Sequence, residues 1–129
     1  MTASSGSYGT ASSRRPSPPH KEWTLRVEDI LEAIERIEAY TAGLTFESFA
    51  ADRKTVDAVV RNIEIIGEAV GNVPEEIQRR YPAIPWSRMR GMRNVLIHRY
   101  DEVSLPILWQ TIQRNLPPLV APLRAILEE

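Results

Sequence analysis

Apolar residues recur every three or four positions along most of this chain, which is the spacing of one face of an α-helix. One such segment runs from about Leu25 to Thr41, and Gly43 follows it as a stop signal. A second runs from about Arg53 to Val70, with Asp52 as its predicted N-cap. Sustained alternation of apolar and polar residues, the pattern of a strand, is not found in the sequence. The predicted fold class is therefore all-α.

Shorter helical patterns fill the rest of the chain. They are a short turn over Thr45–Phe49, a small helix from Pro74 to Arg80, a helix from Trp86 or Ser87 to about His98, a helix over Leu105–Leu116 that Pro117 and Pro118 break or kink, and a last segment over Leu119–Leu127. Together with the two long segments they predict an up-and-down bundle of four to five helices.

The first 22 residues differ from everything that follows. They are rich in Ser, Gly and Pro and have almost no large apolar side chains. This composition predicts a disordered tail over residues 1–22 and one helical domain over residues 23–129. Neither a signal-peptide core nor a run of about 18 apolar residues is present, so we expect a cytoplasmic protein with no membrane contact.

Composition restricts the chemistry of any site. The chain has no cysteine and only two histidines, which excludes disulfides and thiolate metal sites and leaves no obvious histidine cluster. We therefore expect no metal and no cofactor. The formal net charge of −1 means that any contact with a nucleic acid must come from a local basic patch.

Three chemically useful side chains lie close together near the end of the predicted helix over 86–98. Arg93, His98 and Tyr100 supply a fixed charge that forks onto phosphate oxygens, a group that moves a proton near neutral pH, and a hydroxyl. This is a set that can handle a phosphodiester. The bland interpretation is a solvated helix face whose terminal His caps carbonyl groups.

Helix geometry raises a difficulty for a single-chain site. On an ideal helix Arg93 and His98 lie about 140° apart, whereas Asn94 and His98 are neighbours. Either the helix ends near His98, or a second copy of the chain supplies half of the site across a two-fold axis. The same arithmetic puts four apolar residues on the opposite arc: Met89, Met92, Val95 and Leu96.

The spacing of Arg, four residues, His, one residue and Tyr resembles the motif of the HepT-like toxins, prokaryotic ribonucleases of the HEPN superfamily. The resemblance covers nearly the whole helical domain. The segments that carry it are RNIEIIGEA (61–69), YPAIPW (81–86), GMRNVLIHRY (91–100), Trp109 and LPPL (116–119).

The resemblance implies an α-helical HEPN fold, a homodimer with the motif at its interface, and metal-independent cleavage of RNA by the toxin of a type VII-like toxin–antitoxin system. It implies a partner antitoxin with a minimal nucleotidyltransferase (MNT) domain, which adds AMP to the motif Tyr. Carried over to this sequence, Arg93 and His98 are catalytic, Asn94 supports the site, and Tyr100 is the modified residue. The tail over 1–22 is outside the family pattern.

These side chains suit the implied reaction. His98 can transfer protons and Arg93 can stabilise a crowded, negative phosphorane, so the expected product has a 2′,3′-cyclic phosphate. Arg88, Arg90 and Arg99 surround the motif and are the predicted RNA-binding residues.

Two other functions fit the same sequence. One is a non-catalytic, dimeric helical partner of the nucleotidyltransferase, in which the motif only docks. The other is an accessory subunit whose Arg93 and His98 grip the phosphates of ATP for the transferase. A helical bundle hosts many functions, so the fold alone does not choose among them.

Overall fold

A computed structural model of the chain describes residues 20–96 and 102–129. These ranges contain eight α-helices and one π-helical turn: α1 (His20–Thr41), α2 (Phe46–Ala51), α3 (Arg53–Gly71), α4 (Glu75–Arg80), α5 (Trp86–Arg90), α6 (Met92–Leu96), α7 (Leu105–Gln110), the π-helical turn (Thr111–Asn115) and α8 (Pro117–Leu127). The predicted all-α class is confirmed. None of the helices described is long and apolar enough to cross a membrane.

The core is built on α1, which packs along α3 and also contacts α8. The three- and four-residue spacing predicts an apolar face on each long helix, and these positions are buried apart from Val60, which is half-buried against the core. They are Val27, Ile30, Leu31, Ile34 and Ile37 on α1, and Val56, Val59, Val60, Ile63, Ile66 and Val70 on α3. Gly43 ends the α1 segment with a φ of 78°, a left-handed conformation that glycine adopts without steric cost. The helix stop predicted there is confirmed.

Asp52 caps α3 as the sequence predicts. Its carboxylate accepts the Thr55 hydroxyl at 2.7 Å and the Thr55 backbone N–H at 3.2 Å. Because these hydrogen bonds favour the ionised form, the one from the Thr55 side chain most strongly, they lower the pKa of the Asp52 carboxyl.

The continuous helix predicted from residue 86 to about residue 98 is wrong. It is divided at Gly91 into α5 and α6. The amide of Asn94 donates to the Gly91 carbonyl at 3.0 Å, three residues back, and not to Arg90, which a continuous α-helix would require. The Arg90 carbonyl lies instead against Gly67 of α3, where an added Cβ would be only 3.1 Å from the Arg90 oxygen.

One of the four residues predicted to lie on the apolar arc is exposed. Met89, Met92 and Leu96 are buried, whereas Val95 is 63% exposed. At about 100° per residue the three buried side chains lie within about 60° of one another, and Val95 lies at the edge of their arc, about 100° from Leu96.

The predicted break at Pro117 and Pro118 takes the form of a π-helical turn. Neither proline has an amide hydrogen to donate, and the ring of a proline clashes with the carbonyl four residues before it. The chain widens just ahead of them: the Leu116 amide donates to the Thr111 carbonyl at 3.0 Å, five residues back. The turn brings Arg114 and Asn115 to the surface beside α8.

The start of α1 and the number of helices differ from the sequence-based prediction. Helix α1 begins at His20, five residues before the predicted start, and two predicted helices are each divided, so the described helices outnumber the predicted four to five. The predicted tail over residues 1–22 lies almost entirely outside the described residues and stays a prediction.

Candidate active site

Four of the predicted site residues lie in the described part of the chain, and all four are exposed. Arg88 and Arg90 are on α5, and Arg93 and Asn94 are on α6. His98, Arg99 and Tyr100 lie outside the described residues. The flanking residues Leu96 and Ser104 are both described, and the Ser104 amide donates to the Leu96 carbonyl at 2.9 Å. This backbone hydrogen bond joins the last residue of α6 to the residue that precedes α7.

Arg93 is held by a carboxylate from another helix. Its Nε–H donates to Glu64 Oε2 of α3 at 2.7 Å. The other carboxylate oxygen of Glu64 faces Nη1 of Arg61, 3.8 Å away. Glu64 thus lies between two guanidinium groups and fixes one of them.

This contact leaves the two Nη groups of Arg93 available. The hydrogen bond uses only Nε, and neither Nη group of Arg93 has a partner among the described residues. The side chain is 47% exposed. A guanidinium carries five N–H donors, so four remain to bind a phosphate while Glu64 sets the direction of the group.

Gly67 allows the end of α5 to lie close to α3. Because Gly67 has no side chain, the carbonyl of Arg90 approaches α3 more closely than any other residue type would allow without displacement. Gly67 lies three residues after Glu64 on α3, and Arg93 lies three residues after Arg90. The close approach therefore lies within one helical turn of the contact between Arg93 and Glu64.

Sequence reasoning missed Glu64 and Gly67. The helical spacing of the segment over 53–70 predicts that Glu64 lies on its exposed, polar face, whereas in the structure Glu64 is half-buried and contacts Arg93. Both residues lie in the segment 61–69, which resembles the family. The sequence of an amphipathic helix does not reveal whether a charged residue on it pairs with a residue of a second helix.

The described surface around the motif is positively charged. Arg88 and Arg90 are in the last turn of α5, where a positive charge interacts favourably with the negative end of the helix dipole. Within the described ranges neither of these two arginines forms an ion pair. In the same ranges, no three His, Cys, Asp or Glu side chains come close enough to hold a metal ion. The arrangement is suited to binding an anion.

Comparisons with known proteins give the family. The model of the family described as ribonuclease HepT-like matches residues 30–126. Over 78% of its length, the chain is 47% identical to the protein named Probable ribonuclease HepT of Thermococcus cleftensis, of which it covers 88%.

Two further relatives carry RNase in their names. One, from Caldanaerobacter subterraneus, is 39% identical over 80% of this chain and 92% of its own length. The other, from Methanocaldococcus jannaschii, is 36% identical over 86% of this chain and 92% of its own length. No solved structure matches. The chain belongs to the HepT-like ribonuclease family, as its sequence motifs predict.

Glu64→Ala tests the contact on which this site depends. We expect the Nε–H proton of Arg93, followed by nitrogen-resolved NMR, to lose its low-field shift and to exchange with water faster, because its charged acceptor is gone. Both side chains are partly exposed, so the free energy of unfolding should fall by about 1 kcal/mol or less.

The matched control is Glu68→Ala, an exposed position one turn further along α3, which should leave the Arg93 signal unchanged. An Arg93 signal that is identical in wild type and in Glu64→Ala would show that the ion pair does not form in solution.

Proposed function

We propose that this chain is a metal-independent endoribonuclease that acts as the toxin of a type VII-like toxin–antitoxin system. The observation that carries the proposal is Arg93, which belongs to the family motif, is fixed by Glu64 and keeps its Nη groups exposed. The names of the relatives support the same class of activity.

In the proposed reaction the RNA supplies its own nucleophile. The 2′-hydroxyl oxygen attacks the adjacent phosphorus and the bond from phosphorus to the 5′-oxygen breaks, which leaves a 2′,3′-cyclic phosphate and a 5′-hydroxyl. His98 transfers protons to or from these oxygens. Arg93 stabilises the negative charge of the phosphorane, and Asn94, next to it on the exposed side of α6, supports the site.

The role of Glu64 follows from the geometry. A guanidinium on a flexible side chain must lose rotamer freedom to bind a phosphate in one orientation. A hydrogen bond to Nε restricts Arg93 before substrate arrives, which is the preorganisation that electrostatic catalysis requires. We therefore assign Glu64 as a positioning residue that acts through Arg93.

We also propose a homodimer with the motif residues at its interface and RNA contacts from Arg88, Arg90 and Arg99. Two-fold symmetry would bring two copies of His98 to one cleft, which would supply an acid and a base together. The cytoplasm is the compartment we propose for the protein.

The main test is cleavage of single-stranded RNA by purified variants. Arg93→Ala should lower the rate about 100- to 1,000-fold, the usual cost of one preorganised charge-stabilising donor. His98→Ala should lower it about 100- to 10,000-fold, the range typical of a general acid or base. Helical content and melting temperature should change little, because Arg93 is half exposed.

Matched controls are Arg53→Ala, an 81% exposed arginine at the start of α3, and His20→Ala, the other histidine of the chain. Both should cleave at the wild-type rate. Full activity in folded His98→Ala would reject the ribonuclease mechanism and favour the alternative of a non-catalytic binding partner.

We propose that an MNT-domain nucleotidyltransferase restrains this activity. The Tyr100 hydroxyl oxygen would attack the α-phosphorus of ATP, pyrophosphate would leave, and the phenolic proton would pass to solvent. The AMP adds a negative phosphate two residues from His98, which would compete with RNA for the guanidinium of Arg93.

Tyr100→Phe should therefore retain toxicity and escape covalent inactivation. Intact mass measured after incubation with the partner and ATP should increase by one AMP for the wild type and not for Tyr100→Phe. Tyr40→Phe, an exposed tyrosine on α1, is the matched control and should be modified like the wild type. An equal mass increase on Tyr100→Phe, or none on the wild type, would reject Tyr100 as the acceptor.

A further inference from the structure

A groove of about 420 Å³ lies beside α6. Most of its apolar lining comes from α5, α6 and α8: Met89, Met92, Val95, Pro118, Leu119 and Pro122. Ala83 and Pro85, which precede α5, complete this lining. Its volume is within the range of about 300–1,000 Å³ that is usual for small-ligand sites. Val95 is the exposed lining residue of α6.

The charged side chains that line the groove among the described residues are positive. Arg88 of α5 and Arg114 of the π-helical turn line it, together with the amide side chain of Asn115. Among the described residues no aspartate or glutamate lines it, and neither arginine forms an ion pair there. The groove therefore combines a mainly apolar lining with two positively charged side chains.

Helix α6 separates this groove from the Glu64 contact. Successive residues of an α-helix are about 100° apart, so Arg93, Asn94 and Val95 spread over the exposed arc of α6. Arg93 lies toward α3, and Val95 lines the groove on the other side. A strand crossing α6 would contact both.

We propose that this groove binds one unpaired nucleotide of the RNA, next to the nucleotide whose phosphate Arg93 contacts. The inference rests on the proposed ribonuclease function and names a subsite for it. The guanidinium groups of Arg88 and Arg114 bind the flanking phosphates. The base lies on thioether, proline and valine surfaces, and Asn115 hydrogen-bonds its edge.

Charge favours RNA over a second copy of the chain as the occupant of this groove. The described lining has two arginines and no carboxylate, so a second copy would have to neutralise them with carboxylates from outside the groove. RNA has a negative charge at every nucleotide, which complements the two arginines, and each base has a flat apolar face, which complements the apolar lining.

The test measures binding of a single-stranded, fully 2′-O-methylated RNA by fluorescence anisotropy, since this RNA lacks the nucleophile and stays intact. Val95→Asp and the double variant Arg114→Ala with Asn115→Ala should each raise Kd about tenfold. With cleavable RNA the same variants should raise KM more than they change kcat. Arg124→Ala, an exposed arginine on α8 that pairs with Glu35, should match the wild type.

A second measurement tests the contribution of the base to binding. Removing one base next to the cleavage position should weaken binding to the wild type and have little effect on Val95→Asp, which has already lost that contact. Unchanged Kd values in the groove variants, with wild-type cleavage intact, would overturn the subsite and leave the ribonuclease proposal standing.

Two other outcomes also overturn the subsite. A dimer that dissociates in Val95→Asp during sedimentation would assign the groove to contact between copies. Loss of nucleotidyltransferase capture with unchanged RNA binding would assign it to the partner protein. A wild type that neither binds nor cleaves RNA would reject the proposed function itself.

Discussion

The close approach of the Arg90 carbonyl to Gly67 is the constraint on which the site depends. Because of this approach, α5 ends against α3. The helix breaks at the next residue, Gly91, whose carbonyl accepts the Asn94 amide in place of the Arg90 carbonyl. Helix α6 follows this break. It buries Met92 and Leu96, exposes Val95, and carries Arg93, whose Nε–H donates to Glu64.

The Glu64 contact gives this geometry a chemical consequence. A half-exposed ion pair contributes little to stability, about 0–1 kcal/mol, so its value for folding is small. In the proposed mechanism its effect on catalysis is larger, because the orientation of the Arg93 guanidinium is fixed before the substrate binds. Arg93 contacts Glu64 through Nε, and its Nη groups have no partner among the described residues. The same helix carries the apolar lining of the neighbouring groove on its other side.

Much of the fold could be predicted from the sequence because it depends on local pattern. The three- and four-residue spacing of apolar residues located α1 and α3, and the Asp52 cap and the break before Pro117 depend on single residue types. The division at Gly91 could not be predicted in this way, because a glycine within a helical pattern is often tolerated and its effect here comes from Gly67 on another helix. Glu64 was missed for the same reason: its partner is 29 residues away. The motif arginine was recognised from its spacing to His98 and Tyr100, both outside the described residues.

The proposed mechanism, in which Arg93 and His98 cleave RNA without a metal through attack by the 2′-hydroxyl, is tested most directly by the chemistry of the RNA ends. These ends are identified after cleavage in excess EDTA, with His98→Ala prepared in parallel to exclude a contaminating nuclease. We expect 2′,3′-cyclic phosphate and 5′-hydroxyl ends, formed at an undiminished rate and absent with His98→Ala. Fragments with 3′-hydroxyl and 5′-phosphate ends, or cleavage that stops when EDTA is added, would contradict it.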